Sequence, residues 1–231
     1  MPLILALETA TSVVSAALLR GAELIEECRA ASGPAAETLL PCIDALLSKA
    51  GFDQRDVDAF AVSIGPGSFT SLRVGTATAK GLAFGTDRPI AAVSTLRALA
   101  ERGAPSAARV VPMLDARRGE VYAAAYAAGP GHEPVLAEGV YMPEELCGKL
   151  AAPLLLVGDG IAVAGAALRE RLGEVAWLES PQGDPSAGCV GVLGARILAQ
   201  QQGSAAEDLV PHYVRRAEAE VKRTGKRFEI P

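Results

Sequence analysis

The fold is decided by the stretch Ser63-Ile64-Gly65-Pro66-Gly67-Ser68-Phe69-Thr70-Ser71-Leu72-Arg73-Val74-Gly75. The apolar run 59–64 predicts a buried strand, which must stop at Gly65-Pro66-Gly67 because that tripeptide suits neither a strand nor a helix. The hydroxyl side chains of 68–71 can cap a first helical turn, so a helix is predicted over 70–84. A strand, a glycine turn and a helix start bring several backbone N–H donors to one point, which is typical of anion sites.

Two interpretations of this turn stay open. The Walker A pattern is absent from the sequence, and a dinucleotide fingerprint fails because Thr70 stands where its third glycine belongs. Lys80 is too far along the helix to serve as the lysine of a phosphate loop. The turn is therefore either an anion site of another kind or a structural turn whose glycines let the helix pack closely on the sheet.

Composition indicates a globular protein with a large core. Of the 231 residues, 50% are apolar, and the net charge of −5 argues against a body built to bind nucleic acid. Cys28, Cys42, Cys147 and Cys189 are far apart and form no CxxC motif, so neither zinc nor a disulfide framework is predicted. We recognise no signal peptide and no apolar run of about 18 residues. We therefore expect a cytoplasmic protein with no membrane segment.

The predicted elements occur twice in the same order. Each half contains three strands, a helix, a strand, a helix, a strand and a helix. Residues 103–106 have linker composition. We expect an N-terminal lobe of residues 1–103, a C-terminal lobe of 104–210 that includes the last predicted helix, 186–202, and a segment 211–231. That segment is expected to be partly disordered or to pack on the N-terminal lobe.

Each half opens with a hairpin whose first strand ends in an acid, Glu8 in the first half and Asp115 in the second. This arrangement is similar to that of the actin-like ATPase superfamily, in which the two hairpins hold phosphates. Glu8 and Asp115 would then position a metal ion or a water molecule beside a triphosphate, or each would simply cap a turn. Such kinases place glycine after the first acid, and Thr9-Ala10-Thr11 stands there instead, which counts against a phosphate at this hairpin.

Five segments of the chain resemble the bacterial TsaB (YeaZ) family. They are Ile4-Leu5-Ala6-Leu7-Glu8-Thr9-Ala10-Thr11, the stretch 65–75 quoted above, Ala77-Thr78-Ala79-Lys80-Gly81-Leu82-Ala83, Asp115-Ala116-Arg117-Arg118-Gly119-Glu120-Val121-Tyr122 and Pro211-His212-Tyr213-Val214-Arg215. The resemblance implies an α/β fold: the duplicated, two-lobed actin-like (ASKHA, ribonuclease H-like) fold. It also implies a role in making N6-threonylcarbamoyladenosine at position 37 of tRNA.

The resemblance further implies a non-catalytic subunit. Such a subunit pairs with the metal-bearing transferase TsaD, assembles with the ATPase TsaE, and forms a homodimer through the same surface when TsaD is absent. The chain departs from the family pattern at three places. It has Glu8 where the family usually has Asp, Ser71 where it has Gly, and Ala35-Ala36 where it has His-Ser.

The histidine content supports the absence of catalysis. A TsaD-type metal site needs two histidines about one helical turn apart. The chain contains His132 and His212, and neither has a partner at that spacing. We therefore predict no metal ligands and no catalytic residues, and we assign no cofactor-binding residues. Two alternatives remain: a free-standing ATP-dependent phosphotransferase of the actin-like superfamily, and a protease, for which the sequence offers no catalytic set.

Partner proteins are expected on the first two helices, about 35–50 and 70–84, because the resemblance places the interface there. Small residues at helical spacing on the second helix would admit a partner helix or would pack against the chain's own first helix. The predicted interface consists of Leu40, Leu47, Leu72, Gly75, Thr76, Ala79, Lys80 and Ala83. No tightly bound cofactor is expected, although ATP or ADP could lie at the partner interface.

The end of the chain is basic. Residues 213–227 contain six Lys or Arg (215, 216, 222, 223, 226 and 227) and two Glu (218 and 220), which is a net charge of +4. A solvated tail is the ordinary interpretation of such a charge run. The alternative is a weak, salt-dependent contact with tRNA phosphates in an assembled complex.

Overall fold

The computed structural model describes residues 1–30, 33–102, 109–127, 133–173, 175–178 and 183–215. The predicted linker 103–106 lies outside these residues. The chain forms two compact units. The first contains Met1–Ala98 and Pro185–His212, and the second contains Leu99–Asp184 and the chain from Tyr213 onward. The first unit is therefore assembled from two separate parts of the sequence.

The first unit holds a five-stranded sheet in the order β3-β2-β1-β4-β5. Its strands are β1 (Leu3–Glu8), β2 (Val14–Arg20), β3 (Glu23–Ala30), β4 (Ala59–Gly65) and β5 (Ile90–Ser94). β1, β2 and β3 pair antiparallel, whereas β4 and β5 continue from β1 in parallel. Every residue of β1 is buried, as expected for a central strand that is covered on both faces.

The second unit repeats this arrangement with the order β10-β9-β6-β7-β8. Its strands are β6 (Arg109–Asp115), β7 (Val121–Ala127), β8 (Pro134–Tyr141), β9 (Leu154–Val157) and β10 (Val175–Leu178). β6, β7 and β8 pair antiparallel, and β9 and β10 run parallel to β6. Strands that are equivalent in sequence order occupy equivalent places in the two sheets. The duplicated α/β fold predicted from the sequence is therefore confirmed.

Helix α1 (Ala35–Ala50) lies on one face of the first sheet. It starts directly after Pro34 and ends at Gly51, whose φ of 73° lets its N–H group bond the carbonyls of Leu47 and Ser48. Its apolar stripe, which includes Leu39 and Leu46, is buried with β1 and β2. A short 3-10 helix, Gln54–Asp56, precedes β4.

Helix α2 (Phe69–Ala83) follows β4 and covers the same face of the sheet as α1. Its buried residues include Leu72 and Ala79, and Ala79 joins the core formed by α1 and the strands. The predicted bounds of this helix, 70–84, are confirmed to within one residue at each end. The strand, glycine turn and helix predicted around Gly65-Pro66-Gly67 are therefore present.

Helix α6 (Ala187–Ala199) covers the opposite face of the first sheet. Gly191 and Gly194 lie against Leu19 and Ala61, where an added Cβ atom would collide, so the helix approaches the strands closely. The predicted C-terminal lobe, 104–210, includes this helix, but its contacts are with the strands of the first sheet, β1 to β5. Periodicity predicts the helix itself and carries no information about which sheet it covers.

The remaining helices are α3 (Thr95–Ala100), α4 (Pro143–Lys149) and α5 (Ile161–Leu172). α4 and α5 pack on one face of the second sheet, where Met113, Leu156 and Leu168 are fully buried. None of the described helices combines the length and apolar character that a membrane crossing requires.

Leu39→Ala and Leu40→Ala change neighbouring residues of α1 and should differ sharply in stability. The Leu39 side chain is 1% exposed, and that of Leu40 is 55% exposed. Leu39→Ala leaves a cavity beneath α1 and should lower the free energy of unfolding by about 2–5 kcal/mol. Leu40→Ala should change it by less than about 0.5 kcal/mol. Urea unfolding followed by circular dichroism measures both, and equal losses would contradict this placement of α1.

Candidate functional site

The carboxyl ends of three parallel strands of the first sheet carry buried polar side chains. Glu8 ends β1, Ser63 lies near the end of β4, and Thr95 directly follows β5. All three are fully buried. Within the described part of the chain, Glu8 Oε2, Ser63 Oγ and Thr95 Oγ1 make no hydrogen bond. Ligands of parallel sheets bind at this edge, and buried polar atoms without partners are uncommon in folded proteins, so this edge is the candidate site.

Glu8 is the chemically unusual member of this group. Burial raises the pKa of its carboxyl from 4.5 to about 7, against a smaller lowering by the hydrogen bond from the Ala10 N–H, which lies 2.5 Å from Oε1. The Ser63 hydroxyl is near enough to lower this pKa as well, although Ser63 Oγ has no well-formed hydrogen bond. The carboxyl is therefore about half protonated near neutral pH.

The loop after Glu8 is fastened to the start of α2. Thr9 Oγ1 donates a hydrogen bond to the Ser71 carbonyl at 2.8 Å, and the Ser68 N–H donates to the Ala10 carbonyl at 2.7 Å. An added Cβ at Gly67 would lie 2.5 Å from the Ala10 carbonyl oxygen, and one at Gly75 would collide with Thr9 Oγ1. These contacts support the interpretation of the glycines as close-packing positions.

The chain after α6 returns to the turn at Gly65, a packing on the first unit that was one of the two expectations for residues 211–231. The His212 N–H donates to the Ile64 carbonyl at 2.7 Å, and the His212 carbonyl lies where a Cβ of Gly65 would be. Gly65 has a φ of 123°, so this position requires glycine. Upstream, Ser204 pairs with Ile90, and Leu209 is buried in the core beneath α1 and α2. A lone leucine two positions before Pro211 is too weak a pattern to predict the burial of Leu209.

The second unit contains the counterpart of Glu8. Asp115 ends β6, and its Oδ1 accepts a hydrogen bond from the Arg117 N–H at 2.6 Å, two residues ahead, just as Glu8 accepts from Ala10. The Asp115 N–H donates to Asp159 Oδ1 at 2.9 Å. Burial raises the pKa of Asp159, against the lowering effect of that hydrogen bond. Both acids at the first turns therefore cap backbone N–H groups, which supports the turn-capping alternative.

Arg215, the first residue of the basic run, binds its own unit. Its Nη1 donates to the Ala116 carbonyl at 2.6 Å, and its Nη2 pairs with the Glu120 carboxylate. The other basic residues of the run, at positions 216, 222, 223, 226 and 227, lie outside the described residues, so a tRNA contact stays a prediction.

Burial separates the residues of the predicted interface. Leu47, Leu72, Gly75, Thr76, Ala79 and Ala83 are buried in the first unit, whereas Lys80 is half-buried and Leu40 is exposed. Lys80 Nζ also donates to the Glu207 carbonyl at 3.3 Å. The exposed side of α2 is formed by Thr70, Arg73, Ala77 and Gly81, and the exposed Phe84 follows it. That these residues form a partner interface stays a prediction. Most of them pack within the first unit.

The structure adds no evidence for metal binding by either histidine among the residues that it describes. His132 lies outside the described residues, and no group of three His, Cys, Asp or Glu that could hold a metal ion occurs among those that are described. The absence of a metal site stays a prediction from the sequence.

Gly75→Ala and Gly81→Ala place the same methyl group on the same helix in different surroundings. At Gly75 the methyl collides with Thr9 Oγ1, whereas at Gly81 nothing lies within 4 Å. Gly75→Ala should destabilise the protein by about 1–3 kcal/mol. Gly81→Ala should stabilise it by up to about 1 kcal/mol, because alanine favours the helix. Thermal unfolding of both variants decides, and a stabilising Gly75→Ala would exclude the described contact between Thr9 and α2.

Glu8→Gln should remove a pH dependence of stability. The folded-state pKa of Glu8 is about 7, above its ordinary value of 4.5, so its deprotonation opposes folding. The stability of the wild type should therefore fall between about pH 4.5 and pH 8, by about 3 kcal/mol relative to Glu8→Gln. Urea unfolding at several pH values measures this difference. The exposed-site variant Glu37→Gln should keep the wild-type slope, and a Glu8→Gln variant that also keeps it would refute the raised pKa.

Comparison with known proteins identifies relatives over the whole chain. Residues 29–222 match the family model described as TsaD, tRNA N6-adenosine threonylcarbamoyltransferase. The Bacillus subtilis tRNA threonylcarbamoyladenosine biosynthesis protein TsaB is 30% identical over 225 residues, covering 95% of this chain and 96% of that protein. The Haemophilus influenzae protein of the same name is 42% identical over 121 residues, which span 52% of this chain and 51% of the relative.

Solved structures agree with these relatives. YeaZ from Pseudomonas aeruginosa superposes with a TM-score of 0.77 at 32% identity, covering 92% of this chain and 100% of that one. Component A of the Acidaminococcus fermentans (R)-2-hydroxyglutaryl-CoA dehydratase superposes with a TM-score of 0.52 at 12% identity, a likeness that concerns the fold alone. On this evidence the chain belongs to the TsaB (YeaZ) family.

Proposed function

We propose that this chain acts in the biosynthesis of threonylcarbamoyladenosine in tRNA, as a non-catalytic partner of a TsaD-type transferase. The Bacillus subtilis relative, which matches 95% of this chain, is named as a tRNA threonylcarbamoyladenosine biosynthesis protein, and that name supports this pathway. The pairing with TsaD, the assembly with TsaE and self-association without TsaD follow from the resemblance to the family. A cytoplasmic site of action fits a protein that serves tRNA.

The observation that carries the non-catalytic part is the state of Glu8. An actin-like phosphotransferase needs a carboxylate at this turn that can reach a hydrated metal ion beside the phosphates. Here Glu8 Oε1 binds the Ala10 N–H, and the whole side chain is buried. The neighbouring Thr9 fills the space beside Gly75 and is held by the Ser71 carbonyl. A carboxyl that is enclosed in this way serves the loop rather than a phosphate.

The sequence adds a second support. Its two histidines are eighty positions apart, at 132 and 212, so neither belongs to a pair at metal-ligand spacing. His212 also contributes its backbone N–H and carbonyl to the packing of the loop at Gly65. We infer that the metal-dependent step belongs to the partner.

The exposed side of α2 is the surface we propose for that partner. Ala77 and Gly81 form its low central part, and Arg73 and Phe84 lie toward its two ends. Small residues at four-residue spacing let a second helix approach closely. Phe84 is 82% exposed, an unusual degree for a large apolar side chain, and Leu40 is exposed on neighbouring α1. ATP or ADP at this interface remains part of the proposal.

Reconstitution tests the proposed role. This chain, TsaD, TsaE and a threonylcarbamoyl donor are combined with unmodified tRNA, and the modified nucleoside is measured by mass spectrometry. We expect product with the full set, little product when this chain is omitted, and none from this chain alone. Equal product without this chain would refute the partner role. ATP turnover by the purified chain alone would favour the phosphotransferase instead.

Ala77→Arg should weaken the complex with TsaD without unfolding the chain. A long charged side chain in the centre of the proposed surface keeps the partner helix away, and we expect roughly 100-fold weaker binding, or about 2.7 kcal/mol. Ala166→Arg, on the exposed side of α5, is the matched control and should bind like the wild type. Isothermal titration measures both affinities, and equal affinities would place the interface elsewhere.

A further inference from the structure

One contact between α1 and the edge strand β3 has no part in the proposed function. Successive residues of a strand point to opposite faces. Glu27 points toward α6, where it accepts hydrogen bonds from Ser186 Oγ at 2.7 Å and the Gly188 N–H at 3.2 Å. Its neighbours Glu26 and Cys28 therefore point toward α1. The ion pair between Lys49 Nζ and Glu26 Oε1, 3.0 Å long, confirms this for Glu26.

The same packing brings two cysteines together. Cys42 lies two turns before Lys49 on α1 and is buried, while Cys28 lies two residues after Glu26 on β3 and is half-buried. The Cys42 thiol reaches the backbone of Ala16, which is the cross-strand partner of Cys28. Cys28 also packs against the apolar cluster that contains Cys42, and its thiol is near enough to raise the pKa of Cys42. The ion pair between Lys49 and Glu26 and this shared apolar cluster thus place α1 over β3.

We propose that Cys28 and Cys42 are a redox-active pair, which hydrogen peroxide converts to a disulfide that fastens α1 to β3. The inference depends only on this packing and holds whether or not the chain binds a transferase. Sequence spacing does not suggest it, because fourteen positions separate the two cysteines and no CxxC motif is present.

The two cysteines have different roles in this reaction because Cys28 is more exposed than Cys42. Cys28 is half-buried and meets the oxidant: its thiolate attacks one peroxide oxygen, the O–O bond breaks, and water leaves, which oxidises Cys28 to a sulfenic acid. Burial raises the pKa of Cys42 to about 12, so Cys42 remains a thiol until that step has occurred. Cys42 Sγ then attacks Cys28 Sγ, the S–O bond breaks, and the hydroxide leaves as water with the proton of Cys42. Two thiols and one peroxide give a disulfide and two water molecules.

The other cysteines provide internal controls. Cys147 is buried on α4 and donates to the Ala167 carbonyl at 3.6 Å, and Cys189 is half-buried on α6. Cys147 belongs to the second unit, and Cys189 lies on α6, which covers the face of the first sheet opposite to α1. A reaction governed by geometry should therefore link Cys28 to Cys42 and leave Cys147 and Cys189 out.

Peptide mapping of the full chain tests the proposal. The purified protein is treated with hydrogen peroxide, alkylated, and digested with trypsin without a reductant. Trypsin releases Cys28 in peptide 21–29 and Cys42 in peptide 30–49, because Arg20, Arg29 and Lys49 border them. We expect these two peptides to appear joined, 2 Da lighter than their sum, and to separate with dithiothreitol. The oxidised protein should also melt roughly 5 °C higher, since the bond closes a loop in the unfolded chain.

Three variants complete the experiment. Cys42→Ala should leave Cys28 as a sulfenic acid that dimedone traps, and Cys28→Ala should leave Cys42 unmodified. Cys147→Ala should form the link like the wild type. The peptide map of the wild-type protein tests the proposed disulfide even if a variant folds poorly. Links that join Cys28 or Cys42 to Cys147 or Cys189 in similar yield, or oxidation of Cys28 to the sulfonic acid with Cys42 still a thiol, would overturn the proposal.

Discussion

The enclosure of the Glu8 carboxyl at the end of β1 constrains everything around it. Removing a carboxyl from water favours its protonated form and makes each nearby hydrogen bond matter more. Its bond to Ala10 shapes the turn, the turn positions Thr9, and Thr9 requires a glycine on α2. The same turn receives the Ser68 N–H at the start of that helix. One buried acid thus determines how the hairpin and the helix fit together, and leaves little freedom for a phosphate at this place.

Duplication makes the role of Glu8 easier to interpret. Asp115 ends the equivalent strand and binds the N–H two residues ahead, but it is only half-buried and pairs with Arg117. The two halves therefore share a turn and differ in its exposure. The backbone hydrogen bond is therefore common to both halves, while the burial of the acid that accepts it differs from one half to the other.

Sequence patterns predicted the elements of the fold well because each pattern has a local cause. Alternation, helical periodicity and Gly or Pro breaks lie within a few residues of what they predict, as at Gly65-Pro66-Gly67. Features that depend on distant residues were missed. Nothing in residues 187–199 indicates that α6 covers the first sheet, and nothing near Leu209 reveals its burial. On α2, small residues occur on more than one side, so composition could not distinguish the buried Gly75 and Ala79 from the exposed Ala77 and Gly81.

The discontinuity of the first unit has a consequence for its synthesis. When a ribosome has released residues 1–98, all five strands of the first sheet exist, but the face with Ile4, Ala17 and Val93 still lacks its cover. That cover is α6, which is translated only after residues 99–184 of the second unit. A nascent chain must therefore carry this uncovered apolar face while residues 99–186 are added, and a truncated message ending before codon 187 yields a chain that cannot cover it. The late position of α6 in the sequence, rather than the strength of any single contact, therefore determines when this apolar face becomes covered.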